Sequence, residues 1–290
     1  MRYGFVTCVQ LGKSCIEEVL NAGGHFEILM TLRDDLAVTK SGRAYLDDIS
    51  LKHNINLTKV RNINDPNAVA AIQTADLDWL FVIGWSQIAR AEVLNSVRLG
   101  VIGIHPTLLP SGRGRAAIPW TIINGLDRAG VTMFKLDEGV DTGPILSQHQ
   151  IPLDARESAT TLYGKVNDAH LTLIREVWPQ LESSTINPVP QNEALASEWE
   201  GRRPEDGEIH PNEMTVGEVD RLVRAVTHPY PGAFIRRSDD QVLRIWSGSP
   251  VKAPPVGNLQ SLTLKDGYYQ IEQSTIEQAL DRKATDRNKL

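Results

Sequence analysis

The run Trp79-Leu80-Phe81-Val82-Ile83, closed by Gly84-Trp85, carries no polar residue before its glycine. A strand with one wet face alternates apolar and polar positions, so an unbroken apolar run belongs in the middle of a sheet covered on both sides. Residues 2–8 (RYGFVTC) are a similar short run, followed by Gly12, by a helical pattern at Cys15, Ile16, Val19 and Leu20, and by a second strand-like run at 25–32. Strand, glycine turn, helix and strand open a parallel sheet with crossover helices. Helical spacing over 46–53, 66–74 and 91–97, with strand-like 56–60 and 99–104, continues the alternation. Ligands of open parallel sheets bind outside the carboxyl ends of the strands, and Trp85 and His105 stand at two such ends.

At 290 residues the chain is expected to form about two domains. Two antiparallel strands are expected at 130–136 and 145–151. A long helical stripe follows at Leu162, Val166, Ala169, Leu173 and Val177. Over about 182–212 the composition shifts to Ser, Asn, Pro and charge without periodicity, which reads as a linker. Beyond it a helix is expected over 215–225, opened by the capping box Thr-Val-Gly-Glu. Short strands at 233–236, 242–246, 262–264 and 268–271 suggest a small barrel or open sheet. The expected division is 1–185 as an α/β domain, 186–212 as linker and 213–290 as a small, mostly β domain.

No run of about 18 apolar residues occurs, and residues 1–8 read as a strand start, so a soluble, untargeted, cytoplasmic protein without membrane contact is expected. The two cysteines, Cys8 and Cys15, give neither a metal spacing nor a disulfide framework. The net charge of −6 argues against a bulk grip on nucleic acid.

The chemistry concentrates between Gly103 and Leu146. There the chain reads GIHPTLLPSGRGRAAIPW and, further on, INGLDRAGVTMFKLDEGVDTGPIL. His105, leaving an apolar strand, is a side chain suited to take and return a proton near neutral pH. A carboxylate beside it would hold its tautomer, and Asp141, in the tight turn 139–143, is the leading candidate. Asp137 or Glu138 would serve under a different loop arrangement. Arg113 and Arg115 could grip a phosphate or carboxylate, or stand in solvent. Lys40, Gly42, Arg43 and Tyr45 form a loop that could lean over a second substrate, or a solvated charged loop. Gly12-Lys13-Ser14 lacks the earlier glycine of a phosphate-binding loop and reads as a turn and helix start. His228 reads as a turn residue.

His-Pro-x-Leu-Leu-Pro, x-Gly-Arg-Gly-Arg and Leu-Asp-x-Gly-x-Asp-Thr-Gly-Pro-Ile, taken together, resemble the folate-dependent formyltransferases, which include methionyl-tRNA and sugar N-formyltransferases. The resemblance covers roughly residues 1–180, and LVRAVTHPYPGAF with LRIWSGSP resembles the smaller domain that several of these enzymes carry. It implies a Rossmann-like catalytic domain with 10-formyltetrahydrofolate as formyl donor and no metal. His105 would be the catalytic histidine and Asp141 its positioning acid. The pterin would be enclosed by Leu80, Val82, Ile83, Trp85, Ile118, Leu136, Asp137, Gly139 and Val140. Substrate contacts would come from Lys40, Arg43, Tyr45, Arg113 and Arg115. The partner expected is a small-molecule amine, an amino sugar or nucleotide sugar; an oligomer is compatible with it. Residues 201–290 hold 13 Lys or Arg and 13 Asp or Glu, a balance unlike the basic second domain of the tRNA enzymes. One position departs from the family: Gly103 stands where an asparagine of an Asn-x-His triplet donates to the formyl oxygen. Losing such a donor costs on the order of 100- to 1000-fold in rate. A backbone N–H or water could fill the gap, another side chain could reach in, or the chemistry could have changed. The rival readings are therefore a methionyl-tRNA formyltransferase, a folate-binding protein and a formyl hydrolase.

Overall fold

The structure, a computed structural model, describes residues 1–37, 42–237, 241–254 and 260–278. The chain begins β1 (Tyr3–Val6), α1 (Gln10–Asn21), β2 (Ile28–Leu32), α2 (Asp34–Ala37), α3 (Asp47–His53), β3 (Asn56–Val60), α4 (Pro66–Thr74) and β4 (Trp79–Val82). It continues through α5 (Ala91–Leu94), β5 (Gly100–His105), β6 (Arg113–Gly114), α6 (Ala117–Ile123), β7 (Arg128–Lys135), β8 (Ile145–Pro152), α7 (Ala159–Glu182) and β9 (Glu198–Trp199). The last elements are α8 (Val216–Val226), β10 (Ala233–Arg236), β11 (Gln241–Val251), β12 (Ser261–Leu264) and β13 (Gly267–Gln278). Two compact units interleave along the chain. Residues 1–114, 129–151 and 165–198 make the first, and 115–128, 152–164 and the described residues from 199 onward make the second. The division is therefore not a single cut, and α6 groups with the C-terminal elements.

The first unit is a seven-stranded sheet in the order β3-β2-β1-β4-β5-β7-β8. Pairing is parallel from β3 to β5, and β7 runs antiparallel to β5, with His105 opposite Thr132. This is the Rossmann-like α/β arrangement the apolar runs imply: every residue of β1 and β2 is buried, as are Trp79, Leu80 and Phe81 of β4. One face of the sheet is an aromatic cluster. Phe5 and Phe81 stack at 5.6 Å, Phe26 meets Phe81 edge-on at 90°, and Trp178 of α7 lies 4.4 Å from Tyr3. The five residues of the α7 stripe, from Leu162 to Val177, are all buried. Gly12 answers for the glycine after β1: a Cβ there would come within 1.9 Å of Thr7 Oγ1, so the first turn of α1 packs too closely on the strand end for any side chain. Lys13 beside it is held by Asp48 at 2.7 Å and by the Tyr45 carbonyl, in keeping with a turn and helix start.

The second unit holds a four-stranded antiparallel sheet, β10-β11-β13-β12, with α6 and α8. The capping box at α8 forms as expected, the Thr215 hydroxyl accepting from Glu218 N while Glu218 accepts from Thr215 N. β11 is about twice, and β13 about three times, as long as its apolar core suggested. The added residues pair through the backbone, and those of β13, including Glu272 and residues 275–278, expose their side chains, so no apolar alternation marks them. Among the described residues, no helix is long and apolar enough to cross a membrane. Cys8 and Cys15 are both buried.

His170 of α7 is 3% exposed and donates Nδ1–H to the Val166 carbonyl at 2.7 Å. Burial pushes its pKa down to about 4, with the charge of His105 adding to the same direction. Between pH 6.5 and about 4 the unfolded chain takes up a proton that the folded His170 refuses, so folding stability is lost as pH falls through that window. Urea unfolding across that window is expected to show a steeper loss for the natural protein than for His170→Gln. Parallel curves would place the pH dependence elsewhere.

Candidate active site

His105 is the last residue of β5, and the chain after it turns through Pro106 to Gly112. The residue is 8% exposed, and its Nε2 donates to the Gly112 carbonyl at 2.9 Å. Nδ1 lies 3.4 Å from Asp141 Oδ2. The same carboxylate oxygen accepts from Gly114 N at 2.8 Å. Asp141 thus touches both the histidine and the loop that follows it, and a proton on Nδ1 would lie between the ring and a carboxylate.

The acid turn is built by its neighbours. Asp141 sits at φ 55°, in the left-handed region that Asp tolerates better than most residues. A Cβ on Gly143 would fall 1.7 Å from the Lys135 carbonyl, so the chain can close this turn only with glycine. Asp137 Oδ1 accepts from Gly139 N at 3.1 Å and from Thr142 Oγ1 at 2.7 Å. That carboxylate folds the turn, and Asp141 is the acid beside the imidazole.

The stretch 186–198, which reads as linker, lies along this loop. Ile145 and Val189 exchange backbone hydrogen bonds at 2.8 Å each way, and Ser197 Oγ accepts from Gly112 N at 2.9 Å. Gln191 Nε2 donates to the carbonyls of Asp141 at 2.8 Å and Gly143 at 2.7 Å, while its Oε1 accepts from Arg113 at 2.8 Å. Arg113 is completed by a bidentate pair with Glu193, at 2.7 and 2.9 Å. That pair strengthens the guanidinium's hold on its proton and keeps the Glu193 carboxyl below the usual range. The Arg113 side chain is 4% exposed, neither solvated nor offered to a ligand, and it anchors the clamp on the turn.

The other expected site residues fall into separate places. Leu80 and Ile83 are 1% exposed and belong to the core, whereas Val82, Trp85 and Leu136 are only partly buried at its margin. The Trp85 indole N–H is buried and, among the described residues, has no acceptor. Gly139 and Val140 are exposed on the acid turn. Ile118 is buried on α6, in the second unit. Lys40 lies outside the described residues. Arg43 bonds to Thr31 Oγ1, the Leu32 carbonyl and Asp34, and its guanidinium lies 4.7 Å over the Tyr45 ring, which is half exposed. The arginine therefore pins its own loop. Arg115 is exposed, without an ion pair among the described residues. Among the described residues, no group of three or more His, Cys, Asp or Glu could hold a metal. A cavity of about 350 Å³ reaches Leu136 and Asp137 but runs to Leu94 and Gly100, at the opposite end of β5 from His105.

At Gly103 a Cβ would meet Leu136 Cδ2 at 2.6 Å and Cγ at 3.2 Å. The room of the absent side chain is taken by leucine, which has no hydrogen bond to donate.

Each of the two Gln191 hydrogen bonds to the turn is worth about 1 kcal/mol, so Gln191→Ala is expected to speed amide exchange in residues 136–144 by roughly thirtyfold. Hydrogen–deuterium exchange reads this directly, and unchanged exchange would mean that the turn holds itself.

The sequence profile described as "Formyl transferase" matches residues 14–177. A methionyl-tRNA formyltransferase of Lachnospira eligens is 28% identical over 269 residues, 92% of this chain and 84% of that protein. Among solved structures, a sugar N-formyltransferase from Shewanella sp. superposes with a TM-score of 0.69 at 22% identity, covering 87% of this chain and 98% of that one. An N-formyltransferase from Helicobacter canadensis, solved with folinic acid and dTDP-3-aminofucose, gives 0.66 at 16% identity, covering 94% and 99%. The structural likenesses establish the fold. The profile match, spanning more than half of the sequence and containing His105 and Asp141, establishes that this chain belongs to the formyl transferase family.

Proposed function

We propose that the protein transfers a formyl group from 10-formyltetrahydrofolate to the amine of an amino sugar or nucleotide sugar, with His105 moving the proton and Asp141 steadying it. The observation that carries this reading is the imidazole–carboxylate contact of 3.4 Å in a chain of this family. The donor, when bound, supplies the formyl carbon. The residues of the first unit fit it: Trp85 offers a buried indole N–H without an acceptor among the described residues, and Val82 and Leu136 supply apolar surface. Asp141 holds His105 at Nδ1, so the amine's proton is taken, and returned to the leaving group, at Nε2, with the amine in the place of the Gly112 carbonyl. Asp141, 18% exposed, stabilises the imidazolium so formed. Gln191, Arg113 and Glu193 hold Asp141 in position and stay off the reacting atoms.

The choice of a small acceptor rests on charge. The chain is net −6 and its last 90 residues are balanced, which gives a polyanionic tRNA little to grip. dTDP-3-aminofucose, with which the Helicobacter canadensis enzyme was solved, is of the proposed class. The second reading, formyl transfer to methionyl-tRNA, is favoured by the Lachnospira eligens relative.

The test is release of tetrahydrofolate by the purified protein with 10-formyltetrahydrofolate and, in turn, dTDP-3-amino sugars, UDP-4-amino sugars and methionyl-tRNA. Turnover with a nucleotide sugar and none with tRNA is expected. Turnover with tRNA alone would establish the second reading. Folate binding without turnover would mark a binding protein, and formate release without an amine a hydrolase. His105→Asn should abolish turnover and leave folate affinity within a few-fold, because the imidazole acts on protons.

Gly103→Asn should lower activity by about tenfold or more, equivalent to about 1.4 kcal/mol of transition-state stabilisation, because its Cβ collides with Leu136. Adding Leu136→Ala should recover part of the loss. A tenfold gain from the single substitution would instead mean that the present site is an impaired relative of the family's.

A further inference from the structure

The second unit contains a cavity of about 140 Å³ walled by Ala116, Pro119, Val226 and Tyr230, with Arg202 and Arg203 at its side. Arg202 is half-buried, and its guanidinium carbon lies 4.8 Å over the centre of the Trp120 ring. Trp120 is itself fixed, its indole N–H donating to the Glu200 carbonyl at 2.8 Å. Of the five N–H donors of a guanidinium, one is used among the described residues, on the Asp206 carbonyl at 2.6 Å. Among the described residues, no carboxylate forms an ion pair with Arg202. The nearby Asp206 carboxylate is turned instead to the backbone N–H of Arg203, at 2.6 Å. Burial works against the charge on Arg202, and the field of Asp206 only partly offsets it. A partly desolvated cation without a paired anion is costly. Here it is also pre-oriented by an aromatic ring, which cuts the ordering cost of binding.

We infer that this cavity is a binding site for an oxyanion, with Arg202 as its anchor and the apolar walls taking the atoms that carry the charged group. Its volume is below the about 300 Å³ at which pockets enclose whole ligands. It takes an end group: the phosphoryl of a nucleotide or the terminal carboxylate of an amino-acid-like tail. Both present the planar edge of two oxygens that a guanidinium fork matches. The inference stands on binding alone and does not depend on which amine is formylated.

Isothermal titration of the full chain with UDP, and separately with glutamate, tells the two sources apart. One of them is expected to bind, and Arg202→Ala to weaken that binding at least tenfold, about 1.4 kcal/mol. The Arg202 Nε–H resonance of the unsubstituted protein should shift on titration with the same probe, a readout that needs no variant to fold. Binding at the acceptor site of the proposed function would leave that resonance in place. Failure of both probes to bind, affinity unchanged in a folded Arg202→Ala, or an Arg202 resonance that does not move would each overturn the inference.

Discussion

Asp141 Oδ2 lies 2.8 Å from the amide of Gly114 and 3.4 Å from His105 Nδ1, and few atoms in the molecule are asked to do so much. It joins the end of β5 to the loop after it from a turn 36 residues further on. The backbone there is left-handed at a non-glycine residue, a conformation costing of order 1 kcal/mol that persists only where the surroundings over-determine it. They do so from both directions. Asp137 folds the turn from within, and Gln191 holds two of its carbonyls from outside. The Arg113–Glu193 pair fixes Gln191 in turn. A proton-transfer pair needs heavy atoms held near hydrogen-bond distance, and the turn delivers one side of that requirement.

The sheet was legible in the sequence because burial on both faces leaves a chemical trace. Trp79 to Ile83 admits no polar residue, and parallel strands under helices are the arrangement that tolerates this. The pairing of His105 with Asp141 was legible too, since both stand in proline- and glycine-punctuated loops at strand ends. Other parts left no such trace. Gln191 acts through single hydrogen bonds to residues some 50 positions away, and a segment that bonds this way has no period to read. The outer halves of β11 and β13 pair through backbone groups that every residue possesses. Arg113 reads as an exposed loop cation because its partner lies 80 residues on, and pairing is what makes its burial affordable.

Gly103 carries a different lesson. Read alone, a glycine at the position of a hydrogen-bond donor is a loss. With Leu136 lodged against it, the position is a packing solution, in which the leucine fills the space that a side chain at 103 would need. The family's donor cannot be reinstated there without moving the leucine. Leu136 also opens the acid-turn segment, so the change at Gly103 and the setting of Asp141 are physically coupled.

The account's central claim is that Asp141, and not Asp137 four residues earlier, supports the chemistry of His105. The most direct measurement is the single-turnover formyl-transfer rate of Asp141→Asn beside that of Asp137→Asn, both checked for folding by thermal melting. A neutral amide at position 141 cannot stabilise an imidazolium, so a loss on the order of 10⁴-fold is expected. Asp137→Asn, which only loosens a turn, should lose far less. An Asp137→Asn loss as large as, or larger than, that of Asp141→Asn would contradict the account.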